Sequence, residues 1–71
     1  MNKIEILQEI FHHAGEKKFI SFYEIEILTG CSGADLRPML EDLKEATLIL
    51  EHPEGFQISD SGRDFCRSRW I

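Results

Sequence analysis

Apolar residues recur at two spacings in this chain, and the switch between them divides it into helices and strands. Ile4, Leu7, Phe11 and Ala14 fall at helical intervals, which predicts a first helix from about Lys3 to Ala14. Asn2 followed by Glu5 is a capping box at its start, and Gly15 suits the left-handed residue that closes it. Ile6 and Ile10 widen the apolar face, so this helix is expected to be covered on more than one side. Glu16, Lys17 and Lys18 read as a loop, and Phe19-Ile20 as a short isolated edge strand. Ser21 and Glu24 form a second capping box, for a helix of about Phe22 to Thr29 that ends at Gly30.

The third helix carries the core-facing stripe Leu36, Met39, Leu40 and Leu43, of which the three leucines are expected to pack on Leu7, Phe11 and Leu48. Its start is Ser32 or Asp35. If Ser32 is the cap, Pro38 lies beyond the first turn, where it lacks an N–H and crowds the carbonyl four residues back. Pro38 therefore favours Asp35, or a distorted first turn. The helix ends at Thr47, where glycine is more usual. Leu48-Ile49-Leu50 and Phe56-Gln57-Ile58 then flank the turn chemistry of Pro53-Glu54-Gly55, which predicts a β-hairpin. Ser59 caps a last helix, about Asp60 to Trp70, carrying Phe65, Cys66 and Trp70 inward or towards a partner. The expected fold class is α+β, three or four helices with a small antiparallel sheet, in a single domain spanning 1–71.

In this order the chain resembles the winged helix-turn-helix superfamily. The likeness rests on Ile25, Leu28, Gly30, Cys31, Ser32, Leu36, Leu40, Leu43, Leu48 and Ile49, and on the strand-to-helix run Phe56-Gln57-Ile58-Ser59-Asp60-Ser61-Gly62-Arg63. It implies a winged-helix fold over nearly the whole chain. It also implies a third helix that enters the DNA major groove and a hairpin that serves as the wing. The superfamily hosts DNA readers and protein-binding modules alike, so function rests on the residues presented.

Those residues are unfavourable for DNA. Thirteen acids stand against eight bases, a net charge of −5, and an acidic domain is repelled by nucleic acid unless its bases are segregated. The outward positions of the third helix are Gly33, Ala34, Asp35, Arg37, Pro38, Glu41, Asp42 and Glu45; one is basic and four are acids. The wing, Glu51 to Gly55, offers only His52, which is mostly neutral at pH 7. A DNA-binding regulator using helix 33–46 and the 51–55 wing would draw on Arg37, Lys44, Arg63, Arg67 and Arg69. Glu26, where the resemblance implies a small residue between the second and third helices, is expected to reach solvent or find Arg37 or Lys44.

Protein contact is the competing reading. Tyr23 and Ile27 are an i, i+4 apolar pair on a nominally polar helix face. Trp70 and Ile71 end the chain with an aromatic that either packs on the first helix or docks on a partner. The preferred expectation is a non-enzymatic module that binds a protein or its own copy through Tyr23, Ile27, Trp70 and Ile71. No Ser-His-Asp arrangement or nucleophile elbow is present, so no catalytic residue is expected. His12, His13, His52, Cys31 and Cys66 lack zinc-ligand spacing, so neither a metal nor any other cofactor is expected. Gly30 and Gly33 do not make a phosphate loop, and no small-molecule ligand is evident. No membrane-spanning run or secretory signal is read, and the expected compartment is cytoplasmic with reduced thiols at Cys31 and Cys66.

Overall fold

A computed structural model describes residues 1–15 and 18–70. Over the described residues the chain is α+β, with four helices and a two-stranded antiparallel sheet. In chain order these are α1 (Lys3–Ala14), α2 (Phe22–Thr29), α3 (Gly33–Glu45), β1 (Ile49–His52), β2 (Gly55–Ile58) and α4 (Asp60–Trp70).

Both capping boxes form. The Asn2 side chain accepts from the Glu5 N–H at 2.9 Å while the Asn2 N–H donates back to the Glu5 carboxylate at 3.0 Å. Ser21 and Glu24 repeat the arrangement at the start of α2. Each box satisfies two donors that a helix start otherwise leaves without an intrahelical partner. Gly30 closes α2 in the left-handed conformation, with φ 71° and ψ 9°. Gly15 differs from expectation: its φ is 71° but its ψ is −155°, so the chain leaves α1 extended rather than through a left-handed helical residue.

Ser32, not Asp35, caps α3. Its hydroxyl accepts from the Asp35 N–H at 3.2 Å, and Pro38 sits inside the helix. The cost of proline is local, whereas the gain is tertiary. Leu36, Leu40 and Leu43 are fully buried along the helix that begins at Gly33. The carbonyl that loses its partner at Pro38 belongs to Ala34, which is exposed and can be hydrated.

The end of α3 is a complete Schellman turn around a residue that disfavours it. The Leu48 N–H donates to the Leu43 carbonyl and the Thr47 N–H to the Lys44 carbonyl, both at 2.9 Å. Thr47 takes the left-handed position with φ 58°. A left-handed backbone costs an L-residue about 1–2 kcal/mol, and β-branching makes the strain worse. Thr47 is exposed and hands its carbonyl, not its side chain, to the Ser59 hydroxyl. Thr47→Gly should therefore stabilise the protein by about 1 kcal/mol, after the loss of unfolded-state stiffness is subtracted. That corresponds to a melting temperature roughly 4–8 °C higher by circular dichroism. An unchanged or lower midpoint would show that Thr47 is not strained.

The hairpin is tight. Ile49 pairs with Ile58, Leu50 with Gln57, Glu51 with Phe56 and His52 with Gly55, so Pro53 and Glu54 alone make the turn. The expected strand at Phe19-Ile20 is one bridge. Ile20 exchanges both backbone hydrogen bonds with Phe56, at 2.9 and 2.8 Å. Gly55 lies beside this crossing at φ 136°, and a Cβ there would meet the Ile20 carbonyl oxygen at 2.7 Å. The bridge thus anchors the segment between α1 and α2 to the hairpin.

Ile6, Leu7, Ile10, Ile25, Leu36, Leu40, Leu43, Ile49, Phe56 and Cys66 are fully buried at the centre. The buried face of α1 is rotated from the expected stripe towards Ile6 and Ile10. Phe11 is only partly buried, and Trp70 from α4 packs on it. Cys66 is fully buried, and Cys31 is only partly buried. At α4, the Ser59 hydroxyl accepts from the Gly62 N–H at 2.9 Å and donates to the Thr47 carbonyl. Ser59 therefore caps α4 and fastens it to the end of α3. Gly62 is buried against the Leu48 carbonyl, with no room for a Cβ.

Candidate contact surface

Two bases that DNA binding would need, Arg37 and Lys44, are already engaged. Lys44 Nζ lies 2.8 Å from Glu51 Oε1 and 3.1 Å from Glu41 Oε2. An Arg37 nitrogen lies 3.3 Å from Glu41 and 3.4 Å from Glu51. Two cations and two carboxylates so close together have no net charge and tie α3 to β1. The hydrogen bonds that Lys44 donates to Glu51, then to Glu41, raise its ammonium above the ordinary value; accepting from Lys44 lowers the Glu51 carboxyl, with help from Arg37. Arg37 is further held by its guanidinium, 4.5 Å from the centre of the Phe22 ring. Neither base goes to Glu26, the carboxylate for which they were expected. Glu26 instead lies beside the start of α3, near Gly33 and Phe22. Asp35, Asp42, Glu45 and Glu54 remain exposed.

The other bases are close in sequence but do not make one patch. At 100° per residue, Arg63 and Arg67 share a face of α4 and Arg69 points nearly opposite to Arg67. Arg63 pairs with Asp60 at 3.3 Å, and the Arg69 guanidinium covers the Phe65 ring at 4.4 Å. Trp70 is half-buried, 6.3 Å from Phe11, 6.2 Å from Phe65 and 6.5 Å from His12 between ring centres. Of its two expected uses, it is packed on α1. Ile71 lies outside the described residues.

The apolar pair on α2 stands out in solvent. Ile25 turns into the core, and Phe22 and Leu28 pack against it. Tyr23 and Ile27 are left 70% and 63% exposed. Beside Ile27 an open groove of about 400 Å³ runs between α2, the end of α1 and the bridge segment. Ala14, Ile20, Leu28 and Ile27 supply apolar lining, with Phe19 at the lip, and His13, Lys18 and Glu24 are polar. Phe19, 42% exposed, meets the His52 ring edge-on at 5.3 Å. Phe19 was not among the expected contact residues, though neighbours on a strand face opposite ways and a buried Ile20 implies an outward Phe19.

Among the described residues, no three His, Cys, Asp or Glu side chains are grouped to hold a metal, and no helix is long and apolar enough to cross a membrane. Comparison of the chain with protein-family models, curated proteins and solved structures gave no match.

Proposed function

We propose that this chain is a non-enzymatic, winged-helix-type module that acts through protein contacts rather than by reading DNA. The observation that carries the reading is the surface of α2, where Tyr23 and Ile27 stand exposed beside an apolar groove. Large apolar side chains grouped in this way mark interaction sites more often than scattered ones do. Tyr23 has the apolar body and polar tip favoured at interfaces. Trp70 is a lesser contact candidate, since much of its ring already serves the core. The partner is another protein or a second copy of the chain.

DNA regulation is the second reading. It is favoured by the order of elements, a helix-turn-helix followed by a hairpin, which would make Glu51 to Gly55 the wing. Charge weighs against it. Binding to duplex DNA draws its strength from cations that displace condensed counterions, and Arg37 and Lys44 are already matched by Glu41 and Glu51.

Fluorescence anisotropy with a labelled random duplex separates the two readings. At physiological salt the expected dissociation constant is on the order of 10⁻⁴ M or weaker, and Arg37→Ala should leave it unchanged. Circular dichroism must accompany this variant, because Arg37 also covers Phe22. Tight binding that falls steeply with salt and disappears in Arg37→Ala would establish the DNA reading instead.

A further inference from the structure

We infer that the surface of α2 pairs with the same surface of a second copy about a two-fold axis, each copy laying its Ile27 and Tyr23 over the groove of the other. This narrows the interaction reading to one partner and rests on it. Among the described residues five large apolar side chains stand exposed. Two of them, Phe19 and Ile27, line this one groove, and a third, Tyr23, lies one turn from Ile27 on α2. The patch therefore carries a ridge and a hollow side by side. The ridge is Tyr23 and Ile27, and the hollow is the groove of about 400 Å³ lined by Ala14, Ile20 and Leu28. A two-fold contact uses one patch twice, so what one copy presents the other must receive. An axis at the boundary between ridge and hollow meets that condition, because it sets each ridge opposite the other's hollow. An unrelated partner would have to bring both a side chain for the groove and a hollow for Tyr23. A second copy brings both in one contact.

Charge agrees with this pairing. A patch that meets itself must not repel itself, and the chain as a whole is at −5. Here the lining is balanced. Glu24 on α2 is matched by Lys18 from the segment before it, and His13 lies 3.4 Å from Glu9. Glu26 is on the other side of α2, beside Gly33, and stays out of the contact. Exposed acids that would oppose association, Asp35, Asp42, Glu45 and Glu54, belong to α3 and the hairpin turn. A balanced lining gives no advantage to a strongly basic or strongly acidic partner. Homodimer contacts are the ones whose centres are most apolar and poorest in charge. The patch is small, so the dimer is weak and forms at high protein concentration.

Sedimentation velocity from micromolar to millimolar protein should show monomer passing into dimer. The amide NMR shifts that move with concentration should centre on Phe19, Ile27 and Leu28. In a mixture of isotope-labelled and unlabelled protein, isotope-filtered NOEs should join Ile27 and Tyr23 of one copy to Phe19, Ala14 or Leu28 of the other. Ile27→Ser, at an exposed position, should keep the circular dichroism of the wild type and weaken dimerisation about tenfold or more, the effect of losing a central apolar anchor. A dimer indifferent to Ile27→Ser, or NOEs that join α3 or α4 instead, would place the contact elsewhere and overturn the α2 pairing. A monomer at every concentration would overturn the second copy. The duplex titration described above then separates the two failures: weak DNA binding keeps the protein-contact reading with a different partner, whereas tight, salt-sensitive binding removes that reading as well.

Discussion

Gly62→Ala should destabilise this protein by about 2–4 kcal/mol, although the same exchange in an exposed helix interior stabilises by about 1 kcal/mol. The sign reverses because of one close approach. At Gly62 the backbone of α4 lies against the Leu48 carbonyl, and an added Cβ would occupy the oxygen's position. The obstacle is backbone, so no rotamer change relieves it. Either α4 lifts, which breaks the Gly62 N–H bond to Ser59 and withdraws Cys66 from the core, or the turn after α3 opens. Stability of roughly 0.05–0.15 kcal/mol per residue implies about 4–10 kcal/mol for a chain of 71 residues, so a large share is lost. Urea melts should show the drop. The single tryptophan reports its mechanism: Trp70 emission should shift to the red as α4 leaves Phe11. Ser61→Ala, an exposed neighbour on the same helix, should show neither change. A Gly62→Ala protein that melts like the wild type would mean that α4 does not approach Leu48 as described.

Leu40→Ala should cost about 2–5 kcal/mol, the range for deleting a fully buried leucine. Leu40 is wholly inaccessible and sits between Leu36 and Leu43 on the stripe that joins α3 to α1. The cost has two parts, the lost transfer free energy and the void that remains. The void should collapse little, since fully buried Ile6, Leu7, Ile10 and Ile25 share the same core. Set against a total of about 4–10 kcal/mol, a loss at the upper end of this range removes half or more of the stability. Met39→Ala, one residue away but only partly buried, should cost clearly less. Equal midpoints for the two variants in urea would show that Leu40 is no more deeply placed in the core than Met39.

Most of the local architecture was legible because its causes are local. A capping box spans four residues, and a Gly turn or a leucine stripe can be read from spacing alone. Asn2, Ser21, Gly30, Leu36, Leu40 and Leu43 therefore fall where the pattern puts them. The errors share a different origin. Pro38 was weighed by its cost within one helix, yet the Ser32 hydroxyl caps α3 and the helix carries Pro38 inside it. Thr47 does close α3 as expected, and what spacing leaves unread there is its left-handed backbone, with φ 58°. The partners of Arg37 and Lys44 include Glu51, fourteen and seven residues away. Only the placement of β1 beside α3 reveals that pairing. The contact surface was half legible: Tyr23 and Ile27 follow from helical spacing, but the groove beside them exists only once α1, α2 and the Ile20 bridge are assembled.

The Ile20 bridge also bears on how the sheet is kept from growing. Phe56 spends its backbone groups on Ile20, so in β2 it is Gly55 and Gln57 that turn towards β1. Their partners are His52 and Leu50, which leaves the peptide groups of Ile49 and Glu51 directed away from β2 along the outer edge. An open edge beside an exposed leucine is a template for strand-to-strand fibre growth. Here the template is two residues long, and one of them is a carboxylate tethered to Arg37 and Lys44. An incoming strand would have to lie against that anchored charge. The ion cluster of Arg37, Lys44 and Glu51 thus places an anchored charge on the one open edge among the described residues.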